Sequence, residues 1–242
     1  MSSSTWTPTA VASKAAPLRL VLWRAVEAQH LVSTTALVDT LDEQALLEEL
    51  IESVKPPLPE AAKGLHWLLF TPFRYPPLPS GSRFRSPVDP GVFYGADEPR
   101  SACAELGFWR WRFVLESPAL QAIDAKPQTL FSALVQTSAV DLRRKPFVRD
   151  RKRWTDRRDY TACQRFASIA REARVGAIRY ESVRDPKRAG CAAVLTPEAF
   201  AQKQPLESQT WLLTVTRERV FWRRDSVLES ASFEFDARVW EA

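Results

Sequence analysis

The sequence contains few of the residue types that build metal centres or disulfide frameworks. Its 242 residues include three cysteines and two histidines. Cys103, Cys163 and Cys191 form no CxxC pair, and an odd number of cysteines without such spacing favours a reduced, cytoplasmic setting. Neither His30 nor His66 has a cluster of possible metal ligands around it in the sequence, so we expect no metal site.

Long apolar runs are also missing. No stretch reaches the roughly 18 uninterrupted apolar residues of a membrane helix, and residues 1–17 lack the basic start and apolar core of a signal peptide. We therefore expect a soluble protein with a disordered segment over residues 1–17.

Glycine is scarce, with 7 residues against 18 prolines and 9 tryptophans. This balance favours one domain over residues 18–242 with long ordered loops.

Charge points to an anionic partner. Lysine and arginine total 34 against 29 acidic residues, and the net charge is +5. The densest basic run covers residues 143–158 and includes two aromatic residues, a combination that can bind phosphates and stack bases. A nucleic-acid-binding module that uses this run is therefore one functional alternative. Aspartates within the run favour a solvated loop or a protein-docking surface instead.

Helix and strand patterns alternate without a regular βαβ repeat or a GxGxxG loop, so we expect an α+β fold rather than a doubly wound one. A capping box of Thr40 and Glu43 predicts a helix over residues 41–54. Asp97 and Pro99 predict the start of another that runs to about Val114. Further segments are predicted as a strand at 18–25, a helix at 60–70, two β segments at 127–142, a helix after 159, strands at 176–180 and 191–195, and a hairpin at 209–223.

Residues 81–105 hold the candidate site. A Gly81-Ser82 turn is followed by Arg83, a short strand contains Tyr94, and the next helix carries Glu105 on its packing face. Cations, an aromatic hydroxyl and a carboxylate along one strand-to-helix path suit a ligand with phosphates and a ribose. Two further hydroxyls compete for a phosphate-binding role, Thr161 near a helix start and Ser182 at a strand end.

With these residues together, the sequence resembles the RES domain family, named for its Arg, Glu and Ser, whose members are bacterial toxins that consume NAD. The resemblance spans roughly residues 18–200. Ala25 and Thr161 depart from the pattern, since some family toxins have an aromatic residue and a serine there. The matching pieces are Leu22-Trp23-Arg24, Gly81-Ser82-Arg83-Phe84, Phe93-Tyr94, Ala104-Glu105, Tyr160-Thr161-Ala162-Cys163-Gln164 and Tyr180-Glu181-Ser182-Val183-Arg184.

The resemblance implies a mixed sheet core similar to ADP-ribosyltransferases with flanking helices, and cleavage of NAD at the nicotinamide–ribose bond. It also implies that the Pro-rich stretch near residues 55–80 is an insertion. It implies that Arg24 and Arg83 grip the diphosphate or ribose, and that Tyr94 packs on the ribose or nicotinamide. Glu105 would bond the ribose hydroxyls, and Thr161 or Ser182 would fix phosphate or ribose.

The resemblance also implies an Xre-like, DNA-binding antitoxin as partner. The acceptor could be water, inorganic phosphate or a protein side chain, and the last case would make the chain a protein ADP-ribosyltransferase. A third class is a non-catalytic interaction protein in which the arginines and Glu105 form a buried ion network.

Overall fold

The computed structural model describes residues 6–28, 38–77 and 79–241, so the expectation for His30 lies outside the described residues. Eight strands are present in this part of the chain: β1 (Ala16–Glu27), β2 (Phe93–Ala96), β3 (Ile123–Asp141), β4 (Ala177–Glu181), β5 (Gly190–Val194), β6 (Glu207–Val215), β7 (Arg219–Arg224) and β8 (Ser232–Asp236). The helices there are α1 (Pro8–Ala12), α2 (Leu41–Ser53), α3 (Trp67–Arg74), α4 (Pro99–Glu116), α5 (Arg151–Trp154), α6 (Thr161–Glu172) and α7 (Arg238–Glu241).

All eight strands belong to one mixed sheet in the order β1-β2-β5-β4-β3-β6-β7-β8. β3 and β4 are parallel, and the other neighbours are antiparallel. β1 also pairs with β3 along its whole length, from Ala16 opposite Ala139 to Glu27 opposite Gln128. Strands β1, β2, β5, β4 and β3 thus form a closed ring. The α+β fold predicted from the sequence, a mixed sheet with flanking helices, is confirmed.

The two faces of this sheet carry separate cores. Along β5, Cys191 and Ala193 belong to the cluster under α4 and α6, whereas Ala192 and Val194 belong to the cluster under α3. This alternation follows from the two-residue period of a strand. α4 therefore lies on one face of the sheet, and its residue Glu105 lies on the same side of the sheet.

Several local predictions need correction. Residues 6–17 are ordered, because Trp6 is 7% exposed and α1 is capped by the Thr7 hydroxyl; residues 1–5 lie outside the described residues. Residues 127–142 are not two segments but part of the single strand β3, because β1 and β6 pair along it. Asp97 does not cap α4, since its carboxylate accepts two 2.5 Å hydrogen bonds from buried Arg179.

α2 forms where the sequence predicts it, with the Thr40 hydroxyl accepting from the Glu43 amide at 3.2 Å. Its apolar side is nevertheless exposed, with Leu46 at 57% and Leu50 at 56%. The hairpin predicted near the C-terminal end is also present, as β6 and β7. No helix within the described ranges is both long and apolar enough to cross a membrane.

Candidate active site

A cavity of about 1250 Å³ lies between α4, the end of β1 and the start of α6. Five of the six residues predicted for the site line it. The sixth, Ser182, is fully buried and is hydrogen-bonded to Glu105, one of the five. The lining residues are Arg24, Arg83, Tyr94, Glu105 and Thr161.

Glu105 is held in place by Ser182. The Ser182 hydroxyl donates to Glu105 Oε1 at 2.6 Å. It also accepts from the backbone N–H of Arg184 at 3.2 Å and of Asp185 at 2.9 Å. Because two N–H groups already point at the oxygen, its single proton is directed to the carboxylate. Ser182 thus orients Glu105 and is not placed to bind a phosphate itself.

The electrostatic environment of Glu105 combines burial with nearby cations. Burial raises the pKa of Glu105 above its ordinary value, while the Ser182 hydrogen bond and the charges of Arg83 and Arg184 act against this rise. The neighbouring Asp185 carboxylate, which adds to the rise, is itself bonded to Arg100 and to the Ser101 hydroxyl. The cavity therefore presents a carboxylate whose charge is costly to form and is stabilised by specific neighbours.

The turn before β2 is fixed by glycine and by two side chains from elsewhere. Gly81 has φ +67°, and a Cβ there would lie 2.2 Å from the Arg85 carbonyl oxygen, so a side chain is excluded. The Tyr94 hydroxyl accepts from the Phe84 amide at 2.9 Å and bonds the Ser82 hydroxyl at 2.8 Å. Gln164 Nε2 donates to the Ser82 carbonyl at 3.0 Å.

These contacts give Tyr94 a role that its sequence position does not show. Its hydroxyl is hydrogen-bonded to the turn, and Tyr94 also lines the cavity. Burial raises the pKa of Tyr94 above its ordinary value, so the hydroxyl stays protonated at neutral pH. Tyr94 therefore offers a ligand its ring rather than an ionised oxygen.

The same turn delivers Arg83 into the site. Its side chain is 7% exposed, its Nη1 donates to the Trp154 carbonyl at 2.9 Å, and its guanidinium lies 4.5 Å from the centre of the Tyr160 ring. Burial acts to lower the pKa of Arg83, but the surrounding Cys163, tyrosine and Glu105 groups raise it overall. Arg83 is a preorganised cation near the carboxylate.

Arg24 reaches the cavity from the end of β1. Its Nη1 donates to the Tyr94 carbonyl at 2.9 Å, and its guanidinium lies 5.0 Å from the Phe93 ring centre. Burial lowers the pKa of Arg24 to about 10, which leaves it charged at neutral pH. Its Nε is buried and has no hydrogen-bond partner among the described residues.

Thr161 occupies the rim of the cavity at the start of α6. Its amide donates to Asp159 Oδ1 at 2.9 Å. A hydrogen bond from the Thr161 side chain and this amide bond lower the pKa of Asp159. The Asp159 carboxylate thus already accepts from the first amide of this helix. The helix start is a weaker phosphate site than the sequence indicates, because an anion would have to displace Asp159.

Several lining residues were missed as site residues. Tyr180 projects into the cavity from β4, with its ring 4.9 Å from that of Phe84. Arg184 is 5% exposed, donates to the Tyr160 hydroxyl at 3.2 Å and lies 3.5 Å from the Phe108 ring centre. Both residues lie within two positions of Ser182, and this closeness to a predicted site residue was the signal that could have found them.

Several arginines of the basic run at 143–158 form hydrogen bonds or ring contacts with other parts of the protein. Arg143 is bonded to Asp141 through Nε at 2.8 Å, Arg151 makes two hydrogen bonds to Glu181, and Arg149 lies over the Trp6 ring. These pairings reduce the cationic surface that a nucleic acid would need.

Among the residues that the structure describes, no three or more His, Cys, Asp or Glu side chains group together to hold a metal ion.

Comparison with known proteins gives matches to solved structures and to a family model. A chain from the crystal structure of the M. tuberculosis MbcT–MbcA toxin–antitoxin complex is similar at 14% sequence identity, with a TM-score of 0.47, over 80% of this chain and 85% of that chain. No curated protein matches the sequence significantly. A family model for the RES domain matches residues 57–216. This segment contains every predicted site residue except Arg24, and it covers about two thirds of the 242 residues. The chain therefore belongs to the RES domain family.

Proposed function

We propose that this protein is an enzyme that cleaves the nicotinamide–ribose bond of NAD and acts as the toxin of a toxin–antitoxin pair. The observation that carries the proposal is the Glu105 carboxylate, held by Ser182 at 2.6 Å in a cavity that also receives Arg24 and Arg83. Membership of the RES domain family supports the same reaction, because the sequence resemblance implies NAD as substrate.

The reaction needs little acid catalysis. Nicotinamide leaves NAD as a neutral molecule from a cationic ring, and positive charge then develops on the ribose as in other glycosyl transfers. A fixed carboxylate stabilises that charge more in the transition state than in the ground state, which is the requirement for catalysis. In this proposal Glu105 faces the anomeric carbon and Ser182 keeps its carboxylate in position.

The arginines hold the diphosphate. Guanidinium groups form charge-assisted, bidentate bonds to phosphate. Arg24 lines the cavity and remains charged at neutral pH, since its pKa is about 10, and Arg83 is fixed near the carboxylate by Trp154 and Tyr160. Tyr94 contributes its ring beside the ribose. Thr161 lies at the rim, bonded to Asp159, and makes at most a secondary contact.

The acceptor of the ADP-ribosyl group is water, inorganic phosphate or a protein side chain. Purified protein incubated with NAD distinguishes them. Water gives nicotinamide and ADP-ribose, phosphate gives a phosphorylated ADP-ribose only when it is added, and a protein acceptor gives a labelled polypeptide. The matched control is Glu105→Gln, which keeps the shape of the side chain. Absence of nicotinamide release by the wild-type protein would refute the proposal.

The antitoxin partner is tested in cells. Expression of the wild-type chain alone is expected to arrest growth and lower the NAD concentration, whereas Glu105→Gln is not. A small helix-turn-helix protein encoded beside the gene is expected to bind the chain and restore growth. Growth arrest with an unchanged NAD concentration would separate the toxin role from NAD cleavage.

A further inference from the structure

The cavity continues along α4 beyond Glu105. Trp109, Arg112 and Glu116 line it together with Glu105, and their spacing of three or four residues places them on one side of the helix. At a rise of about 1.5 Å per residue, this wall extends roughly 16 Å from Glu105 to Glu116. The cavity of about 1250 Å³ also exceeds the roughly 300–1000 Å³ of pockets for drug-sized ligands. It has room for more than the nicotinamide riboside half of NAD.

Trp109 is an exposed aromatic residue of this helix that also lines the cavity. Its side chain is 49% exposed, whereas Phe108 and Trp111 on either side are each 3% exposed. Phe108 meets its ring at 74°, with the ring centres 5.2 Å apart. The Arg112 guanidinium lies 5.7 Å from the centre of the Trp109 ring. An exposed indole with a guanidinium beside it, inside a concave site, is a stacking platform for a flat ring.

The charge of Arg112 decides which ring fits. Arg112 is bonded to the Glu116 carboxylate, but its guanidinium is the group that lies over the indole, so the cationic nicotinamide ring of NAD is disfavoured on this platform. Adenine is neutral and electron-rich, so it stacks on an indole and tolerates a neighbouring cation. Trp109 also lines the part of the cavity that continues along α4 beyond the carboxylate assigned to the nicotinamide end of the dinucleotide.

We infer that Trp109 binds the adenine ring of the substrate by stacking, with Arg112 completing the adenine subsite. This inference rests on the proposed function. It makes Trp109 a specificity residue that selects an adenine dinucleotide over the mononucleotide of nicotinamide.

The test compares Trp109→Ala, Trp109→Phe and a matched control, Phe113→Ala. Phe113 lies on the same helix and is 53% exposed, but it is not among the residues that line the cavity. For Trp109→Ala we expect KM for NAD to rise roughly tenfold or more, the loss of one base–aromatic stack, with little change in kcat. Trp109→Phe retains most of the affinity, and Phe113→Ala behaves as wild type.

Two further arms separate this inference from the proposed function. Turnover of nicotinamide mononucleotide, which lacks adenosine, is expected to be the same in Trp109→Ala and wild type. An equal loss with both substrates would assign Trp109 to the nicotinamide ring and overturn the inference. Binding of AMP, measured by calorimetry, needs no turnover, so it reports on Trp109 even if the wild-type protein leaves NAD intact. Equal AMP affinity in wild type and Trp109→Ala would also overturn it.

Discussion

Replacement of Ser182 by alanine is expected to change both the stability of the protein and the pH dependence of catalysis. The mutation removes the 2.6 Å bond to Glu105 and leaves the amides of Arg184 and Asp185 without their acceptor. Buried donors left without partners cost about 1–3 kcal/mol, and a hydrogen bond to an ionised group contributes about 1.5–3 kcal/mol. We expect the free energy of unfolding to fall by about 2–4 kcal/mol, measured by urea denaturation.

The effect on catalysis follows from the direction of the pKa shift. Burial already raises the pKa of Glu105, and the Ser182 bond opposes that rise. Without the bond the pKa rises further, so less of the carboxylate is ionised at a given pH. The acid limb of the pH–rate profile therefore moves to higher pH. On the acid limb the lost bond therefore lowers kcat/KM relative to the wild-type protein at the same pH, and activity recovers as the pH is raised.

The matched control is Ser101→Ala. Ser101 is also fully buried, but its hydroxyl donates to Asp185 at 2.5 Å and not to Glu105. It is expected to destabilise the fold while leaving the acid limb of the profile in place. The reasoning is refuted if Ser182→Ala and wild type share one acid limb, or if Ser101→Ala shifts it equally.

Three other predictions concern the cavity residues. Glu105→Gln should lower kcat for NAD by about a hundredfold or more with an unchanged Tm, because the amide oxygen still accepts from Ser182; full activity in the folded variant would remove Glu105 from the mechanism. KM for NAD should rise as the pH passes about 10, where Arg24, whose pKa is about 10, loses its charge; Arg24→Lys should show a different alkaline limb in the same assay. Thr161→Ala should raise KM by no more than roughly threefold, since the hydroxyl is engaged with Asp159, and a tenfold rise would restore Thr161 as a main phosphate ligand.

Much of the local structure could be predicted because its signals are short-range. The Thr40 cap, the Pro99 start of α4 and the alternation in β6 and β7 are each contained within a few residues. The exposure of α2 could not be predicted, since periodicity defines an apolar face but not whether anything covers it. Tertiary structure decides that, and here Leu46 and Leu50 remain exposed.

The site was only partly predictable for the same reason. Glu105 and Arg83 belong to recognisable segments, and both line the cavity. The bond between Ser182 and Glu105 joins residues that are 77 positions apart, so no local pattern shows that the serine supports the acid. The spacing of Trp109 places it on the same side of α4 as Glu105, where packing against the sheet is expected, yet Trp109 is 49% exposed.

The pairing of β1 with β3 has a consequence for the newly made chain. Glu27 pairs with Gln128 and Ala16 with Ala139, so β1 leaves the ribosome roughly a hundred residues before the strand that covers it. At a synthesis rate of about 5–20 residues per second, this delay is roughly 5–20 seconds. Glu105 is likewise made well before Ser182, which orients it. A nascent chain therefore carries Glu105 without a complete site for several seconds. A protein partner made at the same time has that interval in which to bind the nascent chain before the enzyme is complete.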